Sequence, residues 1–338
     1  MIKITMFSSA QKVAGQGVGS AYAELMRLLR TYLKNDFEVQ VNHYNASDIS
    51  HYHTIDPQFY LSTFLPNRGC KVGYVHFLPE TLEGSLQIPK LFRQLVYKYV
   101  IAFYKRMDQI IVVNPSFIPK LTAYGIPKNR ITYIPNFVSK TEFYPVTASE
   151  RQKIRTQLGF QTQDFIVFGD GQVQKRKGID DFYKLAVANP QLQFVWAGGF
   201  SFGRMTDGYE RYQKMIAQPP ANLRFTDIIP RSQLNDYLNA ADVFLLPSYD
   251  ELFPMSVLEA FNTHTPVVLR DLTLYQAIIT GYYQPAANFQ AMDTCLKKLA
   301  QDPAALQDLT EKAQAGAQYY SEEHLSQIWR NYYQKLVS

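Results

Sequence analysis

Short apolar strands that alternate with helical segments constrain this fold more than any other feature of the sequence. The chain opens with a strand at residues 2–7, which is followed by a glycine-containing turn and a helix. The same order starts again at residues 165–168. Strands that alternate with helices form parallel sheets with helices on both faces, and 338 residues are enough for two such domains. We therefore predict an α/β protein of two doubly wound, Rossmann-like domains.

A polar run, Thr-Ala-Ser-Glu at residues 147–150, indicates a linker between the two domains. We predict a first domain over residues 1–147 and a second over residues 148–320. An aromatic-rich helix follows in residues 321–338.

The composition is that of an ordinary globular protein, with 46% hydrophobic and 19% charged residues. No apolar run approaches the roughly 20 residues that a membrane-spanning helix needs, and no signal-peptide pattern precedes the first strand. Cys70 and Cys295 are the two cysteines, which fits a reducing compartment. Residues 1–147 hold 16 Lys and Arg against 9 Asp and Glu, so an anionic partner is expected for the first half. We expect a cytoplasmic protein.

The stretch from residue 242 to 261 carries the strongest functional signal. An apolar strand ends at Pro247, and Pro254 opens a helix after a short polar turn. Glu251 is therefore predicted in the loop and Glu259 on the helix. Free amide groups at a helix N-terminus bind anions, and a carboxylate on each side can bind hydroxyls. A nucleotide sugar fits this arrangement, although two glutamates eight residues apart are also common on solvated helix faces.

Two further glycine-containing loops are candidates for phosphate binding. Residues 175–177 place three consecutive cations between Gly171 and Gly178, which suits a diphosphate. The first loop contains Gly17 and Gly19, and a tight turn without a ligand is the alternative interpretation. That loop alone would suggest a dinucleotide-dependent oxidoreductase with Glu38 on the ribose.

Three histidines and one helix complete the candidates. His76 is predicted at the carboxyl end of a strand, where open α/β sheets bind ligands, whereas His51 and His53 are interpreted as surface residues. Residues 90–106 read as a basic amphipathic helix without an acidic residue, which indicates either membrane-surface binding or a core helix with a basic stripe. The candidate membrane-binding residues are Lys90, Arg93, Lys98, Lys105 and Arg106.

The spacing of Glu251 and Glu259, followed by Thr-Pro-Val-Val at residues 265–268, resembles the donor site of retaining glycosyltransferase family 4, which has the GT-B fold. The resemblance implies that Glu251 approaches the donor hexose and that Glu259 holds the nucleotide ribose. His264 and Pro254 stand where the family usually has glycine. Gln172 replaces an arginine, for which Arg176 or Lys175 is expected to compensate.

The same resemblance assigns the remaining site residues. It implies that Lys177 clamps the diphosphate, that His76 reaches the donor sugar, and that the last helix crosses back to the first domain. Lys177 and His76 are predicted as catalytic together with Glu251. The predicted donor-binding residues are Gly17, Gly19, Gly171, Gln172, Arg176, Phe253, Pro254, Met255, Ser256 and Glu259.

Within that family, the chain is similar to bacterial glycolipid synthases, which add a second hexose to monoglucosyldiacylglycerol. This implies UDP-galactose or UDP-glucose as donor, a glycolipid acceptor, an anionic membrane surface on the inner face of the cell membrane, and no nucleic acid. No Asp-x-Asp motif occurs, so no metal and no other cofactor is expected. The alternatives are a family member with another acceptor, such as a polysaccharide or polyprenyl-linked glycan, and a nucleotide-sugar-binding membrane partner without turnover.

Overall fold

The structure is a computed structural model that describes residues 1–10, 17–76, 78–79, 90–201 and 203–337, without the side chains of residues 90–92 and 205. The described residues divide into two compact units. Residues up to 137 form the first unit together with residues 322–337, and residues 138–321 form the second. Each unit is built on a parallel sheet, so the predicted α/β class is confirmed.

The first unit contains a six-stranded sheet in the order β2-β1-β3-β4-β5-β6. Its strands are β1 (Ile2–Phe7), β2 (Phe37–Val41), β3 (Ile49–Tyr52), β4 (Cys70–Val75), β5 (Gln109–Val112) and β6 (Ile131–Tyr133). Its helices are α1 (Gly17–Thr31), α2 (Pro57–Ser62), α3 (Lys90–Lys105), α4 (Phe117–Ala123) and α13 (Glu322–Lys335), and a 3-10 turn spans Lys128–Arg130. Apolar strand residues such as Ile4 and Ile49, which pair with each other, form the centre of the core.

The C-terminal helix α13 packs in the first unit, although it follows the second unit in sequence. The hydroxyl group of Tyr333 lies 2.7 Å from Nδ1 of His51, and Trp329 stacks on Tyr74 with ring centroids 6.0 Å apart. At its outer side, Arg330 forms a 3.2 Å ion pair with Asp36. Buried aromatic side chains therefore hold this helix in place.

The second unit repeats the architecture with the strand order β12-β11-β10-β7-β8-β9. Its strands are β7 (Ile166–Asp170), β8 (Gln193–Ala197), β9 (Leu223–Phe225), β10 (Val243–Leu246), β11 (Val267–Arg270) and β12 (Gln284–Ala286). Its helices are α5 (Ala148–Gln157), α6 (Ile179–Ala188), α7 (Tyr209–Ala217), α8 (Arg231–Ala240), α9 (Met255–Asn262), α10 (Thr273–Gln276), α11 (Phe289–Gln301) and α12 (Pro303–Tyr319), with 3-10 turns at Lys175–Lys177 and Gly203–Met205.

The structure divides the chain at residue 138, earlier than the boundary at 147 that the polar run indicated. Residues 138–146 are held by the second unit, because Asn262 donates to the Val138 carbonyl (2.9 Å) and Tyr144 donates its amide to Asn235 (3.1 Å). Thr147 does not lie in a linker. It caps α5, and its side chain and that of Glu150 form a capping box.

The C-terminal end of α9 accounts for the expected glycine at the position of His264. His264 has a φ of 59°, in the left-handed region that side chains seldom adopt. Its amide donates to the Phe261 carbonyl (2.9 Å), and the next amide, of Thr265, donates to Ala260 (2.9 Å). A left-handed residue of this kind commonly ends a helix, and glycine takes the position at least strain.

Candidate active site

The predicted strand–turn–helix around the two glutamates is present in the second unit. Strand β10 is buried and ends at Leu246, and α9 begins at Met255 after an extended Pro254. Glu251 lies in the intervening loop and Glu259 on α9, as predicted. Both side chains are buried, with 6% and 3% of their surfaces exposed. A buried carboxylate needs a partner, so these glutamates are not the solvated helix face that the spacing alone would also allow.

Glu251 is paired with cations from the neighbouring loop. Its Oε1 lies 2.6 Å from Nζ of Lys177, and its Oε2 lies 3.5 Å from Nη1 of Arg176. Arg176 also donates to the Asp250 carbonyl at 2.7 Å. Burial raises the pKa of Glu251, but Lys177 and Arg176 outweigh burial and hold the pKa below its usual value. Glu251 is therefore an ionised carboxylate in this site.

The two loops that carry these charges are locked together through their backbones. Gly178 follows the 3-10 turn with a φ of 72°, and a Cβ there would lie 2.1 Å from the Pro247 carbonyl oxygen. The Tyr249 amide donates to the Arg176 carbonyl at 2.8 Å. Only glycine fits such an approach, so the backbone contact fixes Lys177 beside Glu251.

A buried ion pair contacts the loop that carries Glu251. Arg270 of β11 pairs with Asp181 of α6, and its Nε donates to the Pro247 carbonyl at 3.0 Å. The Tyr249 hydroxyl donates to Asp181 at 2.7 Å, and the Arg270 guanidinium lies 4.0 Å from the Tyr249 ring centroid. Strand β11 and helix α6 therefore position the loop that carries Glu251.

Glu259 has a separate cation. Nη1 of Arg231, the first residue of α8, lies 3.0 Å from Oε1 of Glu259, while Nε of Arg231 lies 2.5 Å from Glu142. Burial raises the pKa of Glu259 to about 7, against the opposing effect of Arg231. This carboxyl group can therefore either accept or donate hydrogen bonds near neutral pH.

The glycine-containing loop after β7 brings only some of its predicted residues to the glutamates. Gly171 has a φ of 129°, its carbonyl accepts a 3.0 Å hydrogen bond from Nε1 of Trp196, and Gln172 is half-buried beside it. Arg176 and Lys177 contact Glu251, whereas Lys175 is exposed. Of the two residues expected to compensate for Gln172, only Arg176 is found beside Glu251 among the described residues.

The loop before α9 presents backbone amides at the helix start. The Phe253 ring is buried against Tyr320, with centroids 5.4 Å apart, so its side chain has a packing role. Pro254 is extended, and the amides of Met255 and Ser256 lie in the first turn of α9. The first amides of a helix have no carbonyl partner within the helix, which suits them to an anion.

The remaining predicted site residues belong to the first unit. His76 follows β4 and is buried, with its Nε2 3.2 Å from Nδ1 of His53. Burial lowers the pKa of His76 to about 3, so it is a neutral imidazole. Gly17 begins α1, and a Cβ at Gly19 would lie 3.1 Å from the Ala10 carbonyl oxygen. The rest of the first glycine-containing loop, residues 11–16, lies outside the described residues.

The interpretation of His51 and His53 as surface residues is wrong. His51 belongs to β3, an inner strand of the sheet, and both side chains are buried. Rings of His53 and Tyr74 stack with centroids 4.7 Å apart, and Tyr333 supplies a hydroxyl group to His51. A partner from the distant C-terminal helix makes burial of this polar pair possible.

The predicted basic helix is α3, and part of its charge faces solvent. Lys98 and Lys105 are exposed and Arg93 is half-buried, while the side chain of Lys90 lies outside the described residues. Arg106, just after the helix, donates to the Thr63 carbonyl at 2.9 Å and lies 4.1 Å from the Phe64 ring centroid. None of the described helices is both long and apolar enough to span a bilayer.

Comparison with known proteins identifies the chain's family. A family model described as Glycosyltransferase Family 4 matches residues 17–142, and one described as Glycosyl transferases group 1 matches residues 150–315. The alpha-galactosylglucosyldiacylglycerol synthase of Streptococcus pneumoniae is 51% identical over 335 residues, covering 99% of this chain and 90% of that protein. The chain belongs to glycosyltransferase family 4. It is therefore a hexosyltransferase, as predicted.

Other similar proteins agree with the fold of this transferase. The processive diacylglycerol alpha-glucosyltransferase of Acholeplasma laidlawii is 26% identical, over 58% of this chain and 61% of that protein. Sucrose-phosphate synthase from Thermosynechococcus elongatus superimposes with a TM-score of 0.81 at 16% identity, covering 99% of both chains. The Anabaena protein HepE, in complex with UDP and glucose, gives 0.78 at 16% identity, covering 99% of this chain and 100% of its own. The GT-B fold is confirmed.

Several residues of the transferase's site carried no sequence signal that we used. Arg231 pairs with Glu259, and Arg270 pairs with Asp181; the partners lie far apart along the chain, and only the fold brings them together. Arg231 begins a helix directly after Pro230, and that start signal could have marked it as a candidate.

Proposed function

We propose that this transferase moves a hexose, galactose or glucose, from a UDP-sugar to a glucosyldiacylglycerol, with retention of the anomeric configuration. The observation that carries the proposal is the pair of buried glutamates, each with its own cation, on either side of the amide-bearing start of α9. The 51% identity to a protein named galactosylglucosyldiacylglycerol synthase supports the choice of acceptor.

Each part of the site has a role in this proposal. Glu259 accepts the ribose hydroxyls, and the amides of Met255 and Ser256 bind the diphosphate. Glu251 positions the hexose, and Lys177 stabilises the charge that develops on UDP as the glycosidic bond breaks. Donor contacts by His76, Gly17 and Gly19, which belong to the first unit, are proposed on the family resemblance alone.

We propose that the transfer needs no metal ion. Lys177 and Arg176 lie within 3.5 Å of Glu251, at the loop that leads into the N-terminus of α9. Two cations and a helix start can together stabilise a leaving diphosphate, which is the electrostatic role that a divalent ion has in other transferases.

The acceptor requires contact with a membrane, and we propose that α3 makes it at the inner face of the cell membrane. Lys98 and Lys105 are exposed on this helix, as is Leu95, at 66% of its surface. Next to α3, the end of α2 exposes Leu61 and Phe64, at 66% and 58%. Tyr60 of α2 contacts Tyr99 of α3, with ring centroids 5.6 Å apart, so the apolar and basic features are adjacent. Basic residues beside apolar ones are typical of reversible attachment to anionic lipid.

The proposal is tested by incubating the purified protein with radiolabelled UDP-galactose or UDP-glucose. Separate reactions contain glucosyldiacylglycerol, diacylglycerol, a polyprenyl-linked glycan or a soluble polysaccharide, each with and without EDTA. We expect a labelled diglycosyldiacylglycerol from one UDP-hexose, in amounts that EDTA leaves unchanged. Transfer of the label to another acceptor would contradict the assignment of glucosyldiacylglycerol as the acceptor. Donor binding without any product would identify a binding protein, and loss of activity in EDTA would overturn the metal-free assignment.

A further inference from the structure

Asp170 is a buried carboxylate in the donor site to which the functional assignment above gives no role. It is the last residue of β7, where strands of an open α/β sheet present ligand-binding groups. Its side chain is 9% exposed, and its Oδ1 is buried without a hydrogen-bond partner among the described residues. A buried polar atom without a partner is costly and commonly marks a functional position.

The surroundings of Asp170 contain both glutamates of the site. Lys177 lies close to this strand end, because a Cβ at Gly171, the residue after Asp170, would lie 3.2 Å from its Cε. The other groups that act electrostatically on Asp170 are Glu251, Arg231, Ser256 and Glu259, from the loop after β10, α8 and α9. Asp170 thus interacts with the carboxylates proposed for the hexose and for the ribose. Strand β7 pairs in parallel with β10, so Asp170 lies at the same edge of the sheet as the loop and the α9 start that we assign to the hexose and the diphosphate.

An ionised carboxylate at this place would repel the diphosphate. Ser256 belongs to the first turn of α9, whose amides we assign to the diphosphate, and it lies beside Asp170. Like charges that share a site favour protonation of one group, and a protonated carboxyl group gains an O–H donor.

We propose that Asp170 binds the donor diphosphate as a carboxylic acid, taking up one proton from solvent as the UDP-sugar binds. The new O–H group donates to a phosphate oxygen, and the proton returns to solvent when UDP leaves. This inference rests on the proposed UDP-sugar donor. It makes Asp170 a donor-binding residue that couples affinity to pH.

The electrostatics of the unliganded site agree with this role. Burial raises the pKa of Asp170 to about 6, and Glu251 raises it too, while Ser256, Lys177 and Arg231 act in the opposite direction. A diphosphate adds negative charge, which raises the pKa further and brings protonation to neutral pH.

The test measures proton uptake on binding of UDP-galactose and UDP-glucose by titration calorimetry near pH 7. Buffers with different enthalpies of ionisation give the number of protons exchanged. UDP-sugars are suitable because their doubly esterified diphosphate does not itself titrate in this range. Glu259 also changes its ionisation when it accepts ribose hydroxyls, so the decisive quantity is the difference between the wild-type protein and Asp170→Asn. Asp308→Asn, on an exposed carboxylate, is the matched control.

We expect the wild-type protein to take up more protons than Asp170→Asn, by a fraction of a proton because Asp170→Asn also lowers the pKa of Glu259, whereas Asp308→Asn should equal the wild type. The side-chain amide in Asp170→Asn can donate without taking up a proton, so that variant should keep its affinity near pH 7. Above pH 7 the wild-type dissociation constant should rise, relative to that of the variant, approaching tenfold per pH unit. Equal proton uptake, or loss of binding in Asp170→Asn at every pH, would overturn the inference. Absence of UDP-hexose binding in the wild-type protein would instead contradict the proposed function.

Discussion

Replacing Lys177 by methionine should separate the structural role of the Lys177–Glu251 pair from its catalytic role. Methionine keeps most of the lysine stem and removes its charge, which leaves Glu251 buried beside Arg176 alone, at 3.5 Å. Breaking a buried ion pair by removing one partner costs about 3–5 kcal/mol, and the remaining arginine favours the lower end of that range. In a unit of this size, a loss of about 3 kcal/mol lowers the melting temperature by roughly 6–12 °C.

The same change should impair catalysis by a different mechanism. Lys177 is proposed to stabilise charge that appears on UDP in the transition state, and removal of one such donor lowers kcat by about 10²–10³-fold. Adding Glu251→Gln to the variant removes the unpaired carboxylate. The double variant should therefore recover much of the stability and none of the turnover. Lys175→Met, in the same turn but exposed, should match the wild type in both.

Thermal unfolding and steady-state kinetics of the wild type, Lys177→Met, Glu251→Gln and the double variant form a double-mutant cycle. The reasoning would be refuted if Lys177→Met kept wild-type turnover, since the lysine would then have only a structural role. It would also fail if the double variant recovered activity together with stability.

Three further predictions concern other parts of the molecule. Glu259→Ala should weaken UDP binding by about 1.5–3 kcal/mol for each charge-assisted hydrogen bond that is lost, and unchanged affinity in a calorimetric titration would remove Glu259 from the site. Burial lowers the pKa of His51 and His76 to about 3, so the unfolded chain binds protons that the folded chain does not. The contribution of each histidine to the free energy of unfolding should be fully present above about pH 6.5 and should fall towards pH 3 by about 1.4 kcal/mol per pH unit. A free energy of unfolding in denaturant that does not change between pH 7.5 and 5 would contradict this. Reversing Lys98 and Lys105 to glutamate should abolish salt-sensitive binding to anionic liposomes, because each basic residue contributes about 1 kcal/mol there, and a folded variant that still binds would contradict the assignment of α3.

The fold and the centre of the site were predictable because their signals are local. Strand β10 ends just before Pro247, and α9 begins just after Pro254. These two prolines are enough to place Glu251 in a loop and Glu259 on a helix. The loop of residues 171–178 was likewise marked by its glycines and cations, and the structure places its Lys177 beside Glu251.

Long-range partners were not predictable, and they account for what was missed. Arg231 lies 28 residues before Glu259 in sequence, and nothing near either residue indicates that they pair. The burial of His51 depends on Tyr333, 282 residues away, so the polar residues around it suggested a surface loop. Asp170 belongs to no sequence motif that we used. Only its burial among the charged residues of the site makes it a candidate donor-binding residue.

The most direct test of the central claim is the structure of the product. Purified protein, a UDP-hexose and glucosyldiacylglycerol should give a diglycosyldiacylglycerol, and the anomeric proton of the new linkage should show the small coupling constant of an α-glycoside in its NMR spectrum. The Lys177→Met protein should form this product at least about 10²-fold more slowly. A β-linked product would contradict retention, and the absence of any glycolipid product would contradict the proposed function.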